Sequence, residues 1–206
     1  MLIRSVEFAG AIGQIGQSAP ASVTDLPQLA FSGRSNVGKS SLVNRFLGRT
    51  RTPVARVSQT PGKTREINFF NVASDLGDFV LVDLPGYGYA RASGELRERW
   101  GKVLGSFMGG NNELRGVVQL IDIRHGPTAD DLVAIDQLQE LEMPTLFVLT
   151  KADKFGVQRR KEVVREITGR LNVDPGQVIA ASSVSGLGME ELQDAVGSLI
   201  SPADTP

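Results

Sequence analysis

Eight consecutive residues, GRSNVGKS at 33–40, constrain this chain more than any other feature. They satisfy the pattern G-x-x-x-x-G-K-[ST], and their surroundings suit it. LPQLAFSG (26–33) is a short apolar run ending in glycine, which predicts a buried strand, and SSLVNRFLG (40–48) predicts a helix stopped by Gly48. A loop that leaves a strand and opens a helix can curl so that several backbone N–H groups point at phosphate oxygens. The helix N-terminus adds a partial positive charge. Lys39 brings a full charge to the outer phosphates, and the Ser40 hydroxyl can ligate Mg²⁺. From average residue usage, a chain of this length matches by chance less than about one time in a hundred. Gly33, Arg34, Ser35, Asn36, Val37, Gly38, Lys39 and Ser40 are therefore the expected phosphate-binding residues.

The rest of the chain alternates strand and helix patterns. EINFFNVA and DFVLVDLPG flank the turn sequence SDLG and predict an antiparallel hairpin. Leu96, Trp100, Val103, Leu104 and Phe107 form one helical apolar stripe, on which Trp100 reads most simply as a core residue. GVVQLIDI (116–123), PTLFVLT (144–150) and QVIAASS (177–183) read as buried strands. Helices are expected around Leu132–Leu141, capped by Thr128, around Val163–Leu171, and around Met189–Ile200. SPADTP (201–206) reads as a frayed tail. Uniformly apolar strands between amphipathic helices imply a mostly parallel sheet covered on both faces. The expected fold is therefore an α/β three-layer sandwich with one antiparallel strand. Residues 1–24 are expected to add an edge strand and loop to the domain at 25–206. At 206 residues the chain is long enough for one such domain and too short for two of ordinary size.

Three strand ends after the phosphate loop carry further chemistry. Thr150-Lys151-Ala152-Asp153 fits [NT]-K-x-D, in which an aspartate accepts from both N1–H and the 2-amino group of guanine. Adenine has no donor at either place. Asp83-Leu84-Pro85-Gly86 matches D-x-x-G: Asp83 would hold Mg²⁺ through water, and the Gly86 N–H would bond the γ-phosphate. Ala181-Ser182-Ser183 ends the last strand where a loop would support the guanine O6, although a plain turn would look the same. A second metal-linked residue is expected in the long loop 49–64. Thr64 of Pro61-Gly62-Lys63-Thr64 is the choice because it directly precedes a strand, with Thr60 as its rival.

Composition removes several alternatives. The chain has no cysteine and one histidine, His125, so disulfides, thiol nucleophiles, Cys-ligated zinc and a multi-His site within one chain are excluded. The balance of 22 basic and 23 acidic residues leaves any nucleic-acid surface to local clustering. Such clusters occur at Arg45, Arg49, Arg51, Arg56, Lys63 and Arg65, and again at Arg91, Arg97, Arg99 and Lys102. They suit rRNA phosphates, or a solvated face matched by acids. No stretch approaches a membrane span, and AGAIGQIGQSAPAS (9–22) is too rich in Gly and Gln for a secretory core, so a reducing cytoplasm, a monomer and no membrane partner are expected.

The order GRSNVGKSS, PGKT, DLPGYGYA, DIRHGPTADD, TKAD and SS resembles the EngB family of bacterial GTPases, also called YihA or YsxC. The resemblance runs from Leu29 to the last helix, and DLPGYGYA and the D-x-R-H-x-P segment at Asp122–Pro127 are its more specific parts. It implies a small Ras-like P-loop G domain of the TrmE–Era group, binding GTP and GDP with Mg²⁺. It also implies a role in large ribosomal subunit assembly and an association with cell division and septation. On this resemblance Ser40 and Thr64 ligate Mg²⁺, with Asp83 beside them. Asp83 to Gly86 sense the γ-phosphate, and Thr150 to Asp153 with Ser182 and Ser183 hold guanine. Ala181 stands where a bulkier apolar residue is frequent.

The catalytic expectation rests on Lys39, Thr64, Gly86 and Asn36. Ras-like enzymes place a water-orienting glutamine after D-x-x-G, where this chain has Tyr87. Intrinsic hydrolysis is therefore expected to be slow. Asn36 stands where an asparagine in related GTPases helps bind K⁺ beside the phosphates, or it only braces the loop. Arg124 and His125 are expected to serve conformation or partner contact. A P-loop small-molecule kinase and a GTP-binding module without turnover are the two rival readings, and the TKAD and D-x-x-G pair argues against the first.

Overall fold

A computed structural model describes residues 1–13, 17, 19–55, 66–88, 98, 101–102, 105, 107–108 and 111–201. The strands are β1 (Ile3–Ile12), β2 (Gln28–Gly33), β3 (Ile67–Ser74), β4 (Phe79–Asp83), β5 (Leu114–Asp122), β6 (Thr145–Thr150) and β7 (Val178–Ala180). The helices are α1 (Lys39–Phe46), α2 (Ala129–Glu140), α3 (Val157–Leu171) and α4 (Met189–Ile200). All seven strands join one sheet in the order β1-β3-β4-β2-β5-β6-β7. Only β3 runs against the rest: it pairs antiparallel with both β1 and β4, and every other pair is parallel. This is the mostly parallel sheet with one antiparallel strand that the alternating pattern predicts.

Strand alternation explains the layers. Leu29 and Phe31 of β2, Val118 and Leu120 of β5, and Val148 of β6 point to one face, where Leu42 and Phe46 of α1 and Leu192 and Val196 of α4 cover them. Ala30 and Val117 point to the other, under Ala134 and Leu138 of α2. On that same side Phe147 and Leu149 of β6 meet Val163 and Ile167 of α3. Both sheet faces are thus dry, which is why the central strands read as unbroken apolar runs. The stripe at 96–107, Trp100 included, lies mostly outside the described residues. Its described member Phe107 is buried and sets its ring 6.0 Å from Phe69.

The helix ends follow local chemistry. Gly48, at φ +68°, follows α1 in the left-handed region that glycine adopts without a Cβ penalty. Thr128 caps α2 in a reciprocal box: its side chain accepts from the Asp131 N–H, and the Asp131 carboxylate accepts from the Thr128 N–H at 2.8 Å. The last strand is shorter than its apolar run predicts. β7 ends at Ala180 because the Ser182 hydroxyl accepts from the N–H groups of Val184 and Ser185 at 3.2 and 3.1 Å, turning the chain early.

Candidate functional site

Parallel strands that share a direction bring their C-terminal ends to one edge, and the loops there form the natural site of an open α/β sheet. The motif segments 33–40, 83–86, 150–153 and 181–183 all follow the ends of β2, β4, β6 and β7 on that edge. Gly62, Lys63 and Thr64, with the rival Thr60, lie outside the described residues.

The phosphate loop is held open by backbone that side chains resist. Asn36 sits at φ +65° and Gly38 at φ +102°. A Cβ on Gly33 would stand 2.9 Å from Val37 and 3.1 Å from Leu120, so the strand can turn there only as glycine. The Val37 side chain is buried in the core, as are those of Leu84, Ala152 and Ala181, so these expected binding residues can offer a ligand main chain only. Lys39 and Asp83 are both buried and form an ion pair, joining the phosphate-loop ammonium to the D-x-x-G carboxylate.

The D-x-x-G segment is packed directly on this loop. The Leu84 N–H donates to the Phe31 carbonyl at 3.0 Å, and the Ser35 N–H to the Tyr87 carbonyl at 2.8 Å. A Cβ on Gly86 would lie 2.9 Å from the Ser35 hydroxyl and 3.3 Å from its Cα. Glycine is therefore what lets the two loops touch.

The 150–153 segment divides its work. The Thr150 hydroxyl donates to the Val37 carbonyl at 2.7 Å, so it braces the phosphate loop. Lys151, at φ +61°, lays its stem over Gly38 and donates to the Asn36 carbonyl and to Asp122, each at 2.8 Å. Asp153 remains partly exposed and accepts from the Ser182 hydroxyl at 2.6 Å. That hydrogen bond, more than any other influence, holds its carboxyl below the ordinary range and keeps it an anionic acceptor. The Ala152 N–H donates to the Ala181 carbonyl at 3.0 Å, tying this segment to the 181–183 loop, where Ser183 is half-buried. A carboxylate of this kind beside a phosphate cradle can read a purine edge that presents two donors.

Sequence reasoning assigned no chemistry to Asp122, yet it organises this region. It accepts from the Arg124 guanidinium at 2.9 and 2.7 Å, from the Arg124 N–H at 3.1 Å, and from Lys151. Burial works against its charge, but these donors win and hold the carboxyl far below the usual carboxylate range. An acid at the end of a buried strand was the signal available. A depressed carboxyl stabilises the fold above its unfolded pKa of about 3.9 and loses that contribution as pH falls further. Asp122→Asn is therefore expected to lower the neutral-pH melting temperature and to flatten its decline between about pH 4 and pH 2. Thermal unfolding across that range checks it.

Tyr87 and Arg45 also lie where sequence spacing did not put them. The Tyr87 ring is buried, and its hydroxyl donates to Asp131 at 2.7 Å. Burial first, and then the Asp131 carboxylate, push that hydroxyl well above the ordinary phenol range, so it stays a donor. Arg45, grouped above with the switch-loop cations, instead packs its guanidinium against Gly186 in the 182–188 loop. His125 is exposed. Among the described residues no cluster of three or more His, Cys, Asp or Glu could hold a metal, and no helix is long and apolar enough to cross a membrane.

Comparison with known proteins places this geometry. A family described as 50S ribosome-binding GTPase matches residues 28–151, and the elongation factor Tu GTP binding domain matches 106–202. The chain is 45% identical over 204 residues to the "Probable GTP-binding protein EngB" of Gemmatimonas aurantiaca, covering 99% of this chain and 97% of that one. A crystal structure described as a probable GTP-binding protein engB superposes with a TM-score of 0.65 at 23% identity, covering 84% of this chain and 98% of the other. Era in complex with MgGDPNP and nucleotides 1506–1542 of 16S ribosomal RNA superposes with a TM-score of 0.67 at 22% identity, covering 88% and 58%. At such identities the two structures speak to the fold.

Proposed function

The chain belongs to the EngB family of GTP-binding proteins, and from that premise we propose that it is a cytoplasmic, magnesium-dependent GTP switch serving assembly of the large ribosomal subunit. One observation carries the guanine reading: Asp153, oriented by Ser182, stands two residues after Lys151, whose ammonium is bonded to the phosphate loop. Base reading and phosphate binding are thereby joined in one rigid piece. The whole chain, 1–24 included, acts as a single G domain in this reading.

In it, the N–H groups of 33–40 and the Lys39 ammonium hold the phosphates, and Asp153 and the 181–183 loop hold guanine. Ser40, Thr64 and Asp83 would hold the magnesium ion. Hydroxyls and a carboxylate are the hard oxygen donors that Mg²⁺ takes. When bound, the ion neutralises charge developing between the outer phosphates. The Gly86 N–H answers the γ-phosphate, and the segment after it relaxes when that group leaves.

Turnover is slow by itself in this proposal. Tyr87 has no amide, and its hydroxyl is committed in the core, so it cannot orient water as a glutamine does. The same burial favours, as the second reading, a GTP-binding module without significant turnover. Asn36, whose backbone the site already holds, is the proposed partner of an assisting K⁺. The ribosomal partner is supported by the matched family's description.

Phosphate release from GTP by the purified chain tests these points together, in KCl and NaCl at equal ionic strength, with and without large ribosomal subunits. Slow release, raised by potassium and by the subunits, is expected. Identical rates in all four conditions would remove the assisted-switch reading, and ATP competing with GDP at comparable strength would remove the guanine reading.

A further inference from the structure

Tyr87 follows Gly86 directly, yet its side chain belongs to a buried polar cluster beneath the phosphate loop. Its hydroxyl accepts from the Gln119 amide at 2.5 Å and donates to Asp131 Oδ1 at 2.7 Å. The other Asp131 oxygen accepts from the N–H and hydroxyl of Thr128, at 2.8 and 2.7 Å, so one carboxylate closes both the α2 cap and the tyrosine anchor. Ser32 faces Gln119 in the β2–β5 register, and the side chains of Tyr87, Gln119, Asp131 and Ser32 are nearly inaccessible.

The anchor also governs the main chain. The Tyr87 carbonyl accepts from the Ser35 N–H, and the flanking glycines cannot be replaced without collision. Gly86 touches Ser35, while Gly88, at φ +94°, has the Arg34 side chain 2.7 Å from where a Cβ would stand. The segment that must meet a γ-phosphate is thus pinned on one side by backbone and on the other by one buried hydroxyl.

We propose that Tyr87 is a positioning residue: its buried hydroxyl pre-orders the Gly86 N–H for the γ-phosphate and ties the state of that contact to the N-terminus of α2. This rests on the GTP-switch reading above. The hydroxyl does not touch nucleotide. It acts by reducing the ordering that the segment must undergo on binding, so its contribution is specific to the triphosphate state. GDP has no γ-phosphate and draws nothing from it. The capped end of α2 follows the exposed residues Arg124 and His125, so the same anchor makes that surface responsive to the nucleotide.

The test compares wild type with Tyr87→Phe, which keeps the ring and removes the hydroxyl, by calorimetric titration with GDP and with a non-hydrolysable GTP analogue. Tyr87→Phe should bind GDP within about twofold of wild type and bind the analogue about tenfold more weakly, since a hydrogen bond to a carboxylate is of that order. Equal losses for both nucleotides, or tighter binding of the analogue, would overturn the proposal and leave Tyr87 a fold residue only. If Tyr87→Phe fails to fold, Asp131→Asn, which keeps an acceptor but removes its charge, is read by the same ratio. Wild type binding neither guanine nucleotide would instead overturn the premise, so the two failures are distinguishable.

Discussion

An Asp153→Asn variant is expected to lose about 10²–10⁴-fold in GDP affinity and to gain affinity for xanthosine diphosphate. Two charge-assisted hydrogen bonds to the guanine edge are at stake, each worth about 1.5–3 kcal/mol. The replacement also turns one acceptor into an amide donor that faces the guanine 2-amino group, whereas xanthine presents a carbonyl there. The fold should be nearly indifferent, because Asp153 is partly exposed and its described contacts are Ser182 and Lys154. Calorimetric titration with both diphosphates checks the exchange, and a variant that keeps its guanine preference would sink the assignment of Asp153.

Lys39→Ala should be damaging in two separable ways. Lys39 and Asp83 are 8% and 3% exposed, so removing the ammonium leaves a carboxylate buried without its partner. Breaking a buried pair from one side costs about 3–5 kcal/mol, most of it the uncompensated charge. The same variant loses the cation proposed to meet the outer phosphates, a further factor of roughly 10–150 in nucleotide affinity. Adding Asp83→Asn removes the stranded charge. The double variant should therefore regain most of the stability lost by Lys39→Ala while still failing to bind GDP tightly. Denaturant unfolding and titration read the two effects apart. A double variant no more stable than the single would mean that the pair contributes nothing beyond packing.

Much of this site was legible because its requirements are local. The phosphate loop needs glycines, a lysine and a hydroxyl within eight residues, between a strand and a helix, and 33–40 supplies them between β2 and α1. The antiparallel β3–β4 hairpin followed from its turn sequence, and the Thr128 cap from the acids after it. The early end of β7 was less legible, since Ser182 interrupts the strand through bonds that an apolar run does not announce. Arg45 misled because sequence proximity to a basic loop says nothing about which way a helix turns its side chains. Its contact, Gly186, comes from the far end of the chain.

Read as letters, the chain already specifies its layers and its GTP-binding family, and it marks out the candidate residues for phosphate and base, because hydrophobic period and contiguous motifs are properties of neighbouring positions. Folding alone settles how those parts are coupled. Lys151 reaches Asn36 across 115 positions and Asp122 across 29, and Tyr87 reaches Asp131 across 44. Such hydrogen bonds depend on which strands the sheet sets side by side and where the helices return. A buried hydroxyl or carboxylate acquires its role only when that packing excludes water around it.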